Sequence, residues 1–113
     1  MIMNFSREML KGAAEVIVLH ALQEMKTSYG YQLLRSIREE SKGIFDFQEG
    51  TLYPLLYRLE ERGLVTSKEQ EMPSGKTRRY YRLTSQGRRS YEHRRTEYVL
   101  FFQGMRKILG FSL

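Results

Sequence analysis

Four leucines, Leu52, Leu55, Leu56 and Leu59, fall at i, i+3, i+4 and i+7, and Gly63 follows them. That spacing puts all four on one stripe of an α-helix and leaves Tyr53, Tyr57, Arg58, Glu60 and Glu61 off it. Such a helix must lay its stripe on a core, a burial worth roughly 6 to 12 kcal/mol gross at about 1.5 to 3 per side chain. Gly63 predicts the stop, because glycine takes the left-handed conformation that ends helices. Pro54 constrains the start. With Thr51 as N-cap it falls in the first turn, where its missing N–H has no partner to lose, whereas a start near Gln48 would put it inside the helix and kink it. Thr51 is the cap that fits Pro54, and Gln48 is the alternative.

Upstream, the spacing predicts a helix from Ser6 to about Met25, with Ser6 as N-cap and Glu8 in the first turn. From Ala13 to Leu22 only Glu15 and His20 interrupt the apolar run, so apolar side chains cover most of the circumference. In so short a chain its own core covers one side, and a second copy is the economical cover for the other. Thr27 to Gly30 reads as a turn. Tyr31, Leu33, Leu34 and Ile37 then give helical spacing to about Ser41, and Phe45 and Phe47 in the connector reach back toward the core.

Downstream, Leu64–Gln70 and Thr77–Leu83 are rich in Val, Thr and Tyr and flank Pro73, Ser74 and Gly75, which predicts a β-hairpin. Its second strand alternates Arg79, Tyr81 and Leu83 with Arg78, Tyr80 and Arg82, so at least one arginine row faces solvent or a polyanion. Thr84 caps a last helix running to about Leu109. Its late residues Tyr98, Phe101, Phe102, Met105, Ile108 and Leu109 repeat at 3 and 4 like a coiled-coil seam.

Charge is divided along the chain. Residues 1–72 hold nine Lys/Arg against eleven Asp/Glu, and residues 73–113 ten against two, a net of −2 followed by +8. A local excess of that size suits phosphate, whose neutralisation releases condensed counterions, but a solvated basic helix reads the same way. The 113 residues bound the chain to one domain plus an appendage. With no cysteine, thiolate metal sites, thiol nucleophiles and disulfides are excluded. The two histidines, His20 and His93, fall in different predicted helices and Asp46 is the single Asp, so no catalytic or ligand constellation assembles in sequence and neither catalysis nor a metal or cofactor is expected. Arg7, Glu8 and Lys11 follow Met1–Phe5 too closely for a signal peptide or membrane span, and a cytoplasmic protein is expected.

Three helices followed by a hairpin is the order of a winged helix-turn-helix, in which the third helix enters the major groove and the hairpin tip touches the backbone. The expected fold is therefore mainly α with a small β-hairpin, with residues 1–83 as reader and residues 84–113 as a C-terminal dimerisation helix. The same order also serves modules that bind RNA or proteins.

The run Glu49-Gly50-Thr51-Leu52-Tyr53-Pro54-Leu55-Leu56-Tyr57-Arg58-Leu59-Glu60-Glu61-Arg62-Gly63-Leu64-Val65 resembles the recognition-helix stretch of the PadR-like regulators. Tyr29-Gly30-Tyr31-Gln32-Leu33, Ser74-Gly75-Lys76 and Arg79-Tyr80-Tyr81-Arg82-Leu83-Thr84 extend the resemblance over most of residues 8–90. The chain stops one helix after the hairpin, as in the short subclass. The resemblance implies a winged-helix homodimer, held by its C-terminal helix, that represses transcription until an effector binds. Gln48 departs from it, standing where the family often has a small capping residue such as Ser. Gln is a weak cap, and a solvent-exposed side chain competes here with adenine readout.

On this reading Tyr53, Tyr57 and Arg58 face the groove of double-stranded DNA, with Thr51 and Gln48 at the helix start. The alternative for the tyrosines is packing by their rings. Lys76, Arg78 and Arg79 meet phosphate or minor groove from the hairpin, and Tyr29 and Lys11 are weaker phosphate candidates. Tyr31 shares the apolar face of its helix. Val16 and Leu19, with Tyr98, Phe101, Phe102, Met105, Ile108 and Leu109, line the dimer seam and, less readily, a pocket for a small apolar or aromatic effector.

Overall fold

The computed structural model describes residues 5–112, so the outer ends of the two expected segments, residues 1–4 and 113, lie outside it, as does the Met1–Asn4 stretch read as no signal peptide. Helix α1 spans Arg7–Met25, and the Ser6 hydroxyl accepts from the Met9 N–H at 3.2 Å, as expected of the cap. Ala14, Val18, Leu19, Ala21 and Leu22 turn inward. Where a turn was expected, Ser28–Tyr29 form a two-residue strand, β1, before α2, Gly30–Glu40. The buried Ser28 donates to Gln32 Oε1 at 3.1 Å, and the same oxygen accepts the Tyr29 N–H at 3.2 Å, so the polar groups entering α2 are satisfied from within its first turn. Leu33 and Ile37 face the core. Tyr31 does not share that face, being 58% exposed.

Helix α3 spans Glu49–Glu61, one turn longer at its start than expected. Gln48 is the N-cap, bound through its carbonyl to the amides of Thr51 and Leu52 at 3.0 Å, so Thr51 lies inside the first turn. Pro54 consequently sits in the helix interior, where its ring removes the hydrogen bond that the Gly50 carbonyl would have received. Both residues are exposed, so that carbonyl is open to solvent and its loss of a partner is not a buried one. At the other end Gly63, at φ +76°, donates to Glu60 O, and Leu64 donates to Leu59 O, each at 3.0 Å, a Schellman stop. All four leucines of the stripe are buried.

Strands β2, Val65–Glu71, and β3, Thr77–Leu83, form the hairpin, and β1 adds to the far side of β3, giving an antiparallel sheet of order β1-β3-β2. The hairpin is present as expected, and β1 makes the sheet three-stranded. Register pairs Val65 with Leu83 and Ser67 with Tyr81 on the core side, where Val65, Leu83 and Tyr81 are buried. Helix α4 runs Ser85–Leu109, capped by the Thr84 hydroxyl on the Gly87 N–H at 3.0 Å. Its first two turns bury Gly87 and Tyr91 in the core. A Cβ at Gly87 would collide with the Leu64 carbonyl, so only glycine allows that approach. α4 crosses α1 antiparallel, with Tyr91 beside His20, Arg94 beside Glu15 and Tyr98 against Gly12, and then runs on for about 16 Å at 1.5 Å per residue.

Candidate nucleic-acid interface

With the leucines turned inward, α3 presents Thr51, Tyr53, Tyr57 and Arg58 outward. Tyr57 is 66% exposed and free of the core. Tyr53 is partly packed and partly open: its hydroxyl end lies on Gly30, leaving no room for a Cβ there, while 42% of the residue stays exposed. Burial first, and then the charge of Glu49, push its phenol above the ordinary tyrosine value. Gln48 is exposed and makes no side-chain cap bond, its amide instead reaching Asp46 O at 3.3 Å. Glu49 occupies the first turn of α3, where its charge complements the helix dipole and opposes a phosphate.

The hairpin carries Lys76, Arg78 and Arg79, all exposed, but they are not equivalent. The Arg78 guanidinium lies 4.3 Å from the centroid of the Tyr29 ring, which meets Tyr80 edge-on at 5.5 Å. The fold thereby brings together Tyr29 and Arg78, which sequence reasoning proposed separately. Arg79 donates to Glu69 at 2.7 Å and to Ser67 Oγ at 3.0 Å, and Ser67 in turn donates through its hydroxyl and amide to Glu60 of α3. That chain ties α3 to the hairpin and was not foreseen, although strand alternation already placed Ser67, Glu69 and Arg79 on one face. The opposite face holds Lys68 and Arg82 beside Arg78. Lys11 stands apart, next to Gly12 under Tyr98 of α4.

The expected seam divides. Leu19 has 0% exposure and belongs to the chain's own core, because α1 turns that side toward Leu22, Leu33 and the α3 leucines. Val16 is half-buried and lines a groove of about 480 Å³ between α1, α2 and α4, with Ala13, Ile17, Phe45, Tyr91 and Tyr98. On α4, Tyr98, Phe101, Phe102, Ile108 and Leu109 are exposed and Met105 half-buried. Val99 and Leu100 widen the apolar surface beyond the residues that 3 and 4 spacing selects. His20 Nδ1 lies 2.6 Å from the Tyr91 hydroxyl and Nε2 lies 3.6 Å from Glu40. Among the described residues no three His, Asp or Glu gather to hold a metal ion, and no helix is long and apolar enough to cross a membrane.

A helix-turn-helix whose third helix is backed by leucine and followed by an antiparallel hairpin defines a winged-helix protein. The chain belongs to the PadR-like family of transcriptional regulators, whose description matches residues 18–93. It is similar to the transcriptional regulator Rv3488 of Mycobacterium tuberculosis, with 37% identity over 82 residues covering 73% of this chain and 72% of that one. Among solved structures it resembles a transcriptional regulator from Clostridium thermocellum at TM-score 0.81 and 31% identity, covering 88% of this chain and 96% of that one. A PadR family regulator from Eggerthella lenta aligns at TM-score 0.79 and 32% identity, covering 93% and 88%. This chain is thus a transcriptional regulator of that family.

Proposed function

We propose that the protein is a cytoplasmic, sequence-specific DNA-binding repressor that works as a homodimer on a two-fold symmetric operator. The observation that carries this is the division of α3: its four leucines are buried while Tyr57 and Arg58 stand open on the opposite side. A core stripe behind and a polar, aromatic side in front is what a groove-reading helix requires. Residues up to Leu83 read DNA, Tyr57 and Arg58 at base edges, Lys76 and Arg78 at phosphates. Residues 84–113 pair two copies through the apolar end of α4, since Phe101, Ile108 and Leu109 are otherwise left in water at 65%, 84% and 60% exposure. A dimer seated across a promoter represses by occupancy alone. The groove between α1, α2 and α4 takes a small apolar or aromatic effector, held by its apolar walls and by the polar edges of His20, Tyr91 and Arg95.

Footprinting on the DNA upstream of the protein's own gene tests this. Two protected half-sites about 34 Å apart on one face of the duplex are expected. A monomer that ignores every duplex at low salt, or that prefers RNA, would overturn it.

A further inference from the structure

Glu15 of α1 is the meeting point of three helices. Its side chain is only 13% exposed, and one oxygen, Oε1, accepts from Arg62 Nη1 at 2.9 Å and is ion-paired with Arg94 Nη2 at 2.9 Å. Arg62 is the C-cap of α3, and Arg94 lies in α4 one turn beyond the buried Tyr91. His20 and Tyr91 also join α1 to α4, but among the polar side-chain contacts of the described residues it is Glu15 that joins α1 to both α3 and α4. We propose that Glu15 is a positioning residue that locks the recognition helix α3 and the pairing helix α4 into one lever. In the homodimer, which this inference takes from the function proposed above, the separation and tilt of the two reading helices are then set by that carboxylate.

The energetics favour this role over simple stabilisation. A half-buried ion cluster gives back in Coulomb attraction about what its desolvation costs, and a hydrophobic replacement is often as stable. What two guanidinium groups converging on one oxygen supply is direction, because each fixes the angle of its own helix against α1. Without Glu15 the two arginines repel, and α3 and α4 lose their common anchor. A pairing helix that swings against its reader still dimerises and still reads a half-site, but it no longer insists on one spacing.

The test uses the full-length protein and an inverted repeat selected from random duplexes by the wild type. That repeat is compared with versions carrying one inserted base pair at the centre, which rotates the half-sites by about 35°. Wild type should pay a penalty for the insertion within the range of about 5- to 150-fold usual for coupled sites. Glu15→Gln, which keeps the shape and loses the charge, should bind the original repeat more weakly and reduce that penalty by about fivefold or more. Its affinity for an isolated half-site should not change. Arg94→Met releases only the α4 arm and should do the same if Glu15→Gln does not fold, and combining the two should add little to either. An unchanged penalty in the folded variants, with both duplexes weakened equally, would mean a merely structural contact and overturn the inference. A wild type that selects no inverted repeat would instead bring down the dimeric reading, and this inference with it.

Discussion

Arg79 Nη2 lies 2.7 Å from Glu69 Oε1 across the hairpin, so one of its three prominent cations already has a counterion. The salt dependence of DNA binding counts cations that displace counterions from phosphate, at about 0.9 per contact. Lys76→Ala and Arg78→Ala should each lower the slope of log affinity against log salt by about 0.9, alike on all duplexes. Arg79→Ala should lower it by less, and Glu69→Ala, which frees Arg79, should raise it. Anisotropy titrations at several salt concentrations read all four, and equal slopes for Arg78→Ala and Arg79→Ala would show that the Glu69 pair opens on DNA.

Sequence spacing expects both Leu19 and Phe102 at the seam, but they differ in burial. Phe102 is 42% exposed beyond the α1 crossing, whereas Leu19 has no exposure at all. Phe102→Asp should give a folded monomer, with native circular dichroism, that no longer holds the operator because a single half-site binds weakly. Leu19→Asp should not fold, since a carboxylate there would be buried without a partner. Sedimentation showing an intact dimer for Phe102→Asp would remove α4 from the interface.

What sequence disclosed and what it hid divide along a physical line. The α3 stripe, the Gly63 stop, the Ser6 and Thr84 caps and the hairpin all rest on local periodicity or local stereochemistry, and all are present. The two-residue strand Ser28–Tyr29 has no period of its own and exists because Tyr81 and Tyr80 lie beside it. Apolar residues around most of α1 do not say which side faces the chain's own core, and Leu19, expected at the seam, lies in that core. Thr51 was the better cap by chemistry, but the helix starts at Gln48 because the backbone there closes the first hydrogen bonds without side-chain help. The Glu15 cluster was out of reach, since Arg62 and Arg94 meet it only through the packing of three helices.

Two glycines should respond differently to a methyl group. At Gly87 the obstacle is the Leu64 backbone carbonyl, which cannot step aside, and Gly87→Ala should cost about 1 to 3 kcal/mol in urea denaturation. At Gly30 the obstacle is the end of the Tyr53 side chain, which can rotate away. Gly30→Ala should therefore cost little stability but displace Tyr53 from its place beside Tyr57 and Arg58, the proposed groove-facing residues. Selection from random duplexes should then return an altered preferred sequence. An unaltered preference would place Tyr53 outside base readout.

Beside the α3 stripe, where Leu56→Ala should cost about 2 to 5 kcal/mol, the buried phenols make stability fall in alkali. Burial raises the Tyr91 phenol above its ordinary value of 10.0, opposed by Arg95, and burial likewise raises Tyr81, opposed by Arg79. Well below pH 10, at neutral pH and up to about pH 8, both tyrosines are protonated whether the chain is folded or not, and they add no pH dependence. Above it the unfolded phenols ionise first while the folded ones hold their protons, so unfolding releases protons and rising pH favours it. The loss accumulates until the folded phenols ionise in turn. Urea midpoints at about pH 8 and about pH 10.5 should show the fall, and Tyr91→Phe, which has no proton to release, should fall less. The comparison is internal to each variant, so the His20 partner lost in Tyr91→Phe shifts both midpoints and leaves the difference between them to report on ionisation. An identical fall in Tyr91→Phe and wild type would assign the alkaline loss to other groups.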